Sequence, residues 1–327
     1  MKVAFFDTHD FERKAFEKVN EGFGIELQFL EMKLSTTSAP FATGSEVVCA
    51  FVNDKLDEDC LRALHAVGVK LIALRSAGFN HVNLQVAAEL GIQVARVPGY
   101  SPNAVSEFAL GLLLCLNRKI HKSYARVRDL NFSLDGLVGF DLHGKTVGVI
   151  GTGKIGVLFA RSVQTLGCKV LAYDKFPSSE FNFVSLPQLL KESDIISLHV
   201  PLTPDTHHLI NDETLGLMKE GIYLINTGRG GLIDTKALIR GLKSQKIGGV
   251  ALDVYEEEEE FFFRDLSETG LSDDVLARLL TFPNVLISSH QAFLTHEALG
   301  NIAQTTLENI QEFTSTGKVT SNKVSLG

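Results

Sequence analysis

Apolar positions fall in short continuous runs, and between these runs they recur at helical spacing. The two kinds of segment alternate along the chain. Short runs read as strands, and three-to-four-residue spacing reads as helix. In the first hundred residues the strand runs are Val3–Phe6, Glu26–Leu30, Val47–Phe51, Lys70–Leu74 and Gln93–Arg96. Helical spacing fills Asp10–Asn20, Glu58–Val67 and Asn83–Leu90 between them. This alternation predicts an α/β fold with parallel sheets, beginning with one small doubly wound unit.

Ser101-Pro102 then reads as an N-cap followed by proline at the first helical position, which predicts a long helix to about Leu116. A second strand series follows at Thr146–Ile150, Lys169–Tyr173, Asp194–His199, Ile222–Asn226, Gly249–Leu252 and Val285–Ser288. Six strands with intervening helices fit a full dinucleotide-binding sheet. A last helix from about His296 to Phe313 is too long for a tail. It is expected to fold back on the first unit. The expected domains are therefore residues 1–100 with 297–327, and residues 101–296.

Composition narrows the partners. A chain of 327 residues exceeds one ordinary core, in keeping with two domains. Its formal charge of −8 argues against nucleic acid or an anionic membrane as a main partner and leaves a small molecule. The uncharged run Ala109–Leu116 is far too short to span a bilayer. MKVAFFDTHD reaches Asp7 after a brief apolar stretch, so it reads as a first strand and not a signal peptide. Cys49, Cys60, Cys115 and Cys168 form no CxxC pair, and free thiols in a reducing cytoplasm are expected. No metal site and no catalytic cysteine is indicated.

The segment KTVGVIGTGKIG carries Gly151, Gly153 and Gly156 between a buried strand and a helix, Ile155–Leu166. Such glycines allow a tight turn and the approach of a pyrophosphate to the helix N-terminus, where Lys154 and Ile155 lie. The next strand ends at Asp174, placed to accept hydrogen bonds from adenosine ribose hydroxyls. Its carboxylate would repel a 2′-phosphate, which favours NAD over NADP. Lys175 beside it weakens that repulsion. A glycine turn with a surface aspartate is the plainer reading, but the strand–loop–helix–strand context argues against it.

Three charged residues follow strands of the same sheet: Arg229 in LINTGRGGLID, Glu258 in ALDVYEEEEE and His290 in LISSHQAF. Alone, each has a bland explanation: a solvated loop arginine, a solvated acidic face, a surface imidazole. Together they suit hydride transfer to a 2-keto acid. Ketone reduction needs a proton donor, and histidine serves near neutral pH. A neighbouring carboxylate favours the protonated imidazole. An arginine fork matches a substrate carboxylate in a way lysine cannot copy.

RSAGFNHVNL, VPGYSPNAVSEFA, GKTVGVIGTGKIG, SLHVPLTP, INTGRGGLID, LDVYEEE and SSHQAFLTHEA occur in one order across nearly the whole chain. In these motifs the chain resembles the D-2-hydroxyacid dehydrogenase family, and within it the fermentative branch that reduces pyruvate to D-lactate. The resemblance implies a Rossmann NAD domain and a flavodoxin-like substrate domain built from both chain ends. It implies that Arg229 binds the substrate carboxylate and polarises the carbonyl, with His290 as acid–base and Glu258 as its partner. The N–H groups of Ala77 and Gly78 would also hold the carboxylate, Tyr100 would wall the pocket, and Phe293 would bound the substrate's side-chain end. Ile155, Val200, Pro201, Thr206 and Thr227 would line NAD, and Asp253 would meet the nicotinamide carboxamide. A dimer or tetramer is implied.

The chain departs from the family pattern at Phe108, often histidine there, and at Lys175, often proline. The run Phe261–Phe263 either caps the cleft or packs between the domains. Arg75, just before the Ala77-Gly78 loop, is the next candidate anion clamp. Reduction of a bulkier 2-keto acid is the neighbouring alternative. An NAD-sensing binding protein of the corepressor type is the alternative from another class. Phosphoglycerate oxidation is disfavoured, because the chain ends at Gly327 without an added regulatory domain.

Overall fold

Two sheets organise the protein, whose computed structural model describes residues 1–325. Leu326 and Gly327, the last residues of the expected 297–327 segment, lie outside the described residues. The strands are β1 Lys2–Phe5, β2 Glu26–Phe29, β3 Val47–Ala50, β4 Leu71–Leu74, β5 Gln93–Ala95, β6 Thr146–Ile150, β7 Lys169–Tyr173, β8 Asn182–Phe183, β9 Ile195–Leu198, β10 Ile222–Asn226, β11 Ile247–Leu252, β12 Val285–Ile287 and β13 Lys323–Val324. The first sheet runs β13-β5-β4-β3-β1-β2, and the second β12-β11-β10-β9-β6-β7-β8.

The chain divides into two compact units. One holds Met1–Ser101 together with the described residues from Leu294 onward, and the other holds Pro102–Phe293. In the first unit every residue of β3 and β4 is buried, because helices cover both faces of a parallel sheet. Each fully buried Leu or Ile there contributes about 1.5–3 kcal/mol through the hydrophobic effect. The helix His296–Thr316 opens on Thr295, whose hydroxyl accepts from Ala298 N at 3.1 Å, and ends at Gly317 with φ 73°. It packs against the helix Asp10–Asn20 and against β4.

In the second unit the long helix spans Pro102–Arg118, with proline as its first residue. Strand order reverses at β6, which lies between β7 and β9. That reversal opens a crevice at the carboxyl ends of the strands, where sheets of this kind place ligands.

Three elements differ from the sequence expectation. The second sheet has seven strands, because the two-residue β8 extends the edge beside β7. In the first sheet β13 pairs antiparallel with β5, so that sheet is not wholly parallel. A two-residue strand carries too few positions to show a period. The helix Ile120–Arg128 is not among the expected elements; its apolar residues Ile120, Tyr124 and Val127 recur at helical spacing but are exposed.

Candidate functional site

The glycine loop sits at the strand-order reversal. Gly151 turns with φ 92° directly after β6, and a Cβ on Gly156 would collide with the Gly151 carbonyl oxygen. The helix Lys154–Thr165 starts from Gly153, whose missing side chain leaves its first N–H groups without a cap, and a Cβ there would meet only open space. A bare helix N-terminus over a cleared loop suits a pyrophosphate. Lys154 is exposed and Ile155 half-buried beside it.

Asp174 follows β7, and its carboxylate is tied to the glycine loop. Oδ2 accepts from Thr152 N at 2.6 Å and Thr152 Oγ1 at 3.1 Å, and Oδ1 accepts from Phe176 N at 2.9 Å. Burial pushes this carboxyl up, but the N–H groups of Thr152 and Phe176 outweigh it and hold it below its ordinary value. The carboxylate is therefore charged at neutral pH. Lys175 turns its ammonium to Asp205 at 2.8 Å, so its charge is partnered elsewhere.

Val200, Pro201 and Thr206 lie in the loop after β9. Thr206 Oγ1 donates to Pro201 O at 2.6 Å and accepts from Thr203 N at 2.8 Å, so this hydroxyl shapes the loop. His199 lies against the glycine loop, with Ser197 Oγ 2.9 Å from its Nε2. Burial of its ring pushes the His199 pKa down to about 4, which keeps it neutral. Thr227, just after β10, is buried, and its hydroxyl has no hydrogen-bond partner among the described residues. An unpaired buried hydroxyl is costly and fits a place made for a polar ligand.

The three charged residues end adjacent strands. Buried Asn226 braces the Arg229 loop, since its Nδ2 donates to Arg229 O at 2.8 Å and its Oδ1 accepts from Gly228 N at 3.0 Å. A Cβ on Gly230 would collide with the Tyr255 backbone, so glycine lets this loop press against the one after β11. Glu258 is buried in that second loop; its Oε2 accepts from Tyr255 N at 2.8 Å. Its Oε1 lies 2.6 Å from His290 Nδ1. His290 follows β12 in left-handed backbone, φ 52°, and its N–H donates to Asp253 O at 2.7 Å. Such a conformation costs a histidine about 1–2 kcal/mol and persists only where surrounding bonds enforce it.

Arg229 is half-buried, not fully exposed. Nη1 donates to Gly228 O at 2.7 Å, and among the described residues no carboxylate lies within ion-pair distance of it. Its remaining donors are open.

Asp253 is fully buried, and its carboxylate accepts from Ser288 Oγ at 2.7 Å, Gln291 N at 2.9 Å and Ala292 N at 2.8 Å. Burial raises this carboxyl above its ordinary value despite those bonds. These bonds make Asp253 a brace of the His290 loop. The Phe261–Phe263 run packs on the second unit's own core. Phe262 is buried there, and the Phe263 ring lies 6.0 Å from the His290 ring. Phe293 is half-buried three residues beyond His290.

Ala77, Gly78 and Tyr100 belong to the first unit. Arg96 Nη1 donates to Ala77 O at 3.0 Å and Ser76 Oγ to Gly78 O at 2.7 Å. The carbonyls are occupied, while the N–H groups of Ala77 and Gly78 make no hydrogen bond among the described residues. That arrangement suits an anion. Tyr100 is half-buried, and its carbonyl accepts from Asn301 Nδ2 at 2.6 Å. Arg75 is not an anion clamp. It is fully buried and paired with Glu12. Asn226, His199 and Thr152 escaped the sequence reading. An asparagine at a strand end before glycine is a turn signal that could have exposed the first.

Comparison with known proteins supplies a family. Residues 110–292 match the family described as D-isomer specific 2-hydroxyacid dehydrogenase, NAD binding domain. A 2-hydroxyacid dehydrogenase homolog of Schizosaccharomyces pombe is 51% identical over 321 residues, 96% of this chain and 97% of that one. The D-lactate dehydrogenase of Escherichia coli K12 is 50% identical over 315 residues, 95% of this chain and 96% of that one. The apo structure of D-lactate dehydrogenase from Escherichia coli superposes with a TM-score of 0.90 at 48% identity, covering 99% of this chain and all of that one.

Proposed function

The chain belongs to the D-isomer specific 2-hydroxyacid dehydrogenase family, whose NAD-binding domain it carries, and on that premise we propose that it reduces pyruvate to D-lactate. The observation that carries the reading is the buried contact of His290 Nδ1 with Glu258 Oε1 at 2.6 Å, placed at the ends of neighbouring strands of the NAD sheet.

Bound NADH supplies the hydride. Every other task falls to the chain. Gly151, Gly153, Gly156 and the first turn at Lys154 and Ile155 hold the pyrophosphate, and Asp174 takes the ribose. Val200, Pro201, Thr206 and Thr227 bound the rest of the cofactor. Arg229 binds the substrate carboxylate through its open donors and draws electron density from the carbonyl. Phe293 bounds the pocket. Glu258 holds the Nδ1 side of His290, which leaves Nε2 to give its proton to the forming alkoxide. Hydride and proton together account for the two hydrogens gained by the keto group.

The exposed apolar stretch that includes Tyr124, Leu130, Phe132, Leu134 and Val138 supports assembly with further copies of the chain. The free cysteines fit work in a reducing cytoplasm.

Turnover of pyruvate with NADH, followed by chiral analysis of the product, tests the reading. D-lactate is expected, with NADH much preferred over NADPH. L-lactate, or no turnover with any member of a 2-keto acid panel, contradicts it.

A further inference from the structure

Outside that site, the loops after β9 and β11 bring His207, His208 and Glu256 together, with one donor atom from each within 4.8 Å of the others. Consecutive side chains on extended backbone point to opposite sides. Here His208 adopts left-handed backbone, φ 51°, and the two imidazoles stack with centroids 3.8 Å apart. The turn is held by His208 N donating to Gly231 O at 2.8 Å and Asn211 Nδ2 donating to His208 O at 3.0 Å. Glu256 is oriented in its turn. Its Oε2 accepts from Thr235 Oγ1 at 2.9 Å and Thr235 N at 3.3 Å, which directs Oε1 to His208 Nε2 at 2.5 Å.

The cluster borders a cavity of about 650 Å³ lined by Asp234, Glu257, Glu260 and Asp273 against one lysine, Lys236. Those walls attract a cation. We propose that His207, His208 and Glu256 form a binding site for a divalent transition-metal ion of the zinc class. Two imidazoles and one carboxylate suit Zn²⁺, Co²⁺ or Ni²⁺, whereas Mg²⁺ and Ca²⁺ prefer oxygen donors alone. The ion replaces the His208–Glu256 hydrogen bond and draws in the exposed His207, and solvent completes its coordination. Thr235 is the outer partner that fixes the carboxylate. The bound ion would cross-link the two loops. This inference stands apart from the dehydrogenase reading, because none of the three residues belongs to the proposed site of reduction.

The test uses the tag-free full chain after chelator treatment and dialysis. Zn²⁺ is titrated calorimetrically, and thermal unfolding is followed with and without it. One saturable Zn²⁺ per chain and a rise in Tm are expected for the wild type. His207→Asn, at an exposed position that leaves the fold intact, weakens binding by more than about 10-fold and abolishes the rise, as expected for a lost ligand. His290→Gln keeps both. Absence of binding to the wild type overturns the proposal. So does equal binding by His207→Asn, or loss only in His290→Gln, which moves the ion to the His290–Glu258 pair.

Discussion

Arg75 and Arg229 each follow the carboxyl end of a parallel strand, β4 in one unit and β10 in the other. Arg75 has every side of its guanidinium occupied. Nε and Nη2 donate to Glu12 at 2.9 and 2.8 Å, Nη2 also to Asp7 O at 3.0 Å, and Nη1 to Phe6 O at 3.1 Å. The rings of Phe5 and Phe51 lie 4.2 and 4.8 Å away. Arg229 spends one donor on its neighbour's carbonyl and keeps the rest. Residue type and strand-end position are shared, so neither marks a functional arginine. Unused valence does. The same contrast divides His199, half-buried with Ser197 beside its Nε2 and kept neutral, from His290, held at Nδ1.

The strongest way to sharpen the contrast is to remove the open imidazole. His290→Gln should cut turnover by about 10²–10⁴-fold, the usual worth of a positioned acid–base group, while NADH affinity stays near wild type. Loss of NADH binding in proportion would make His290 a cofactor contact instead. Removing the closed arginine should act on folding. Arg75→Ala leaves Glu12 buried without its partner and should destabilise the chain by about 3–5 kcal/mol, measured by urea denaturation. The KM for pyruvate of the folded fraction should hold. Normal stability with lost pyruvate binding would return the anion clamp to the first unit.

Two smaller effects follow. Without the Glu258 carboxylate His290 loses the partner that orients its ring, so Glu258→Gln should lower kcat for pyruvate while NADH affinity holds. Unchanged kcat would remove Glu258 from proton transfer. The counterpart, a pH dependence of stability, comes from His199. Burial lowers it from 6.5 to about 4, so between those values the unfolded chain takes a proton that the folded chain refuses. Stability should fall as pH drops through that window, by up to about 1.4 kcal/mol per pH unit from this group. His199→Gln should flatten the slope; an unchanged slope would mean that the ring protonates freely in the folded chain.

Much of this was legible in the sequence. The long strands and the glycine loop follow from apolar runs with glycines at fixed offsets, signals local to a few residues. Arg229, Glu258 and His290 were legible because each follows a strand of one recognisable sheet. The bracing of the His290 loop by Asp253 was not, because it depends on the N–H groups of Gln291 and Ala292, far along the chain. Arg75 misled for the same reason, its partner Glu12 being distant in sequence. The His207–His208–Glu256 cluster joins two loops that no local pattern relates, so nothing in the residue pattern points to a metal site there.

Arg229→Lys tests most directly whether unused valence marks the site. The substitution keeps the charge and removes the two-pronged fork. Charged hydrogen bonds to substrate are worth roughly 1.5–3 kcal/mol each, so kcat/KM for pyruvate should fall by on the order of 10²-fold or more. NADH binding, measured separately by fluorescence, should change little, and stability should stay within about 0.5 kcal/mol. Near-normal pyruvate kinetics in this variant would contradict the account, because an arginine with open donors would then be no more functional than a solvated one.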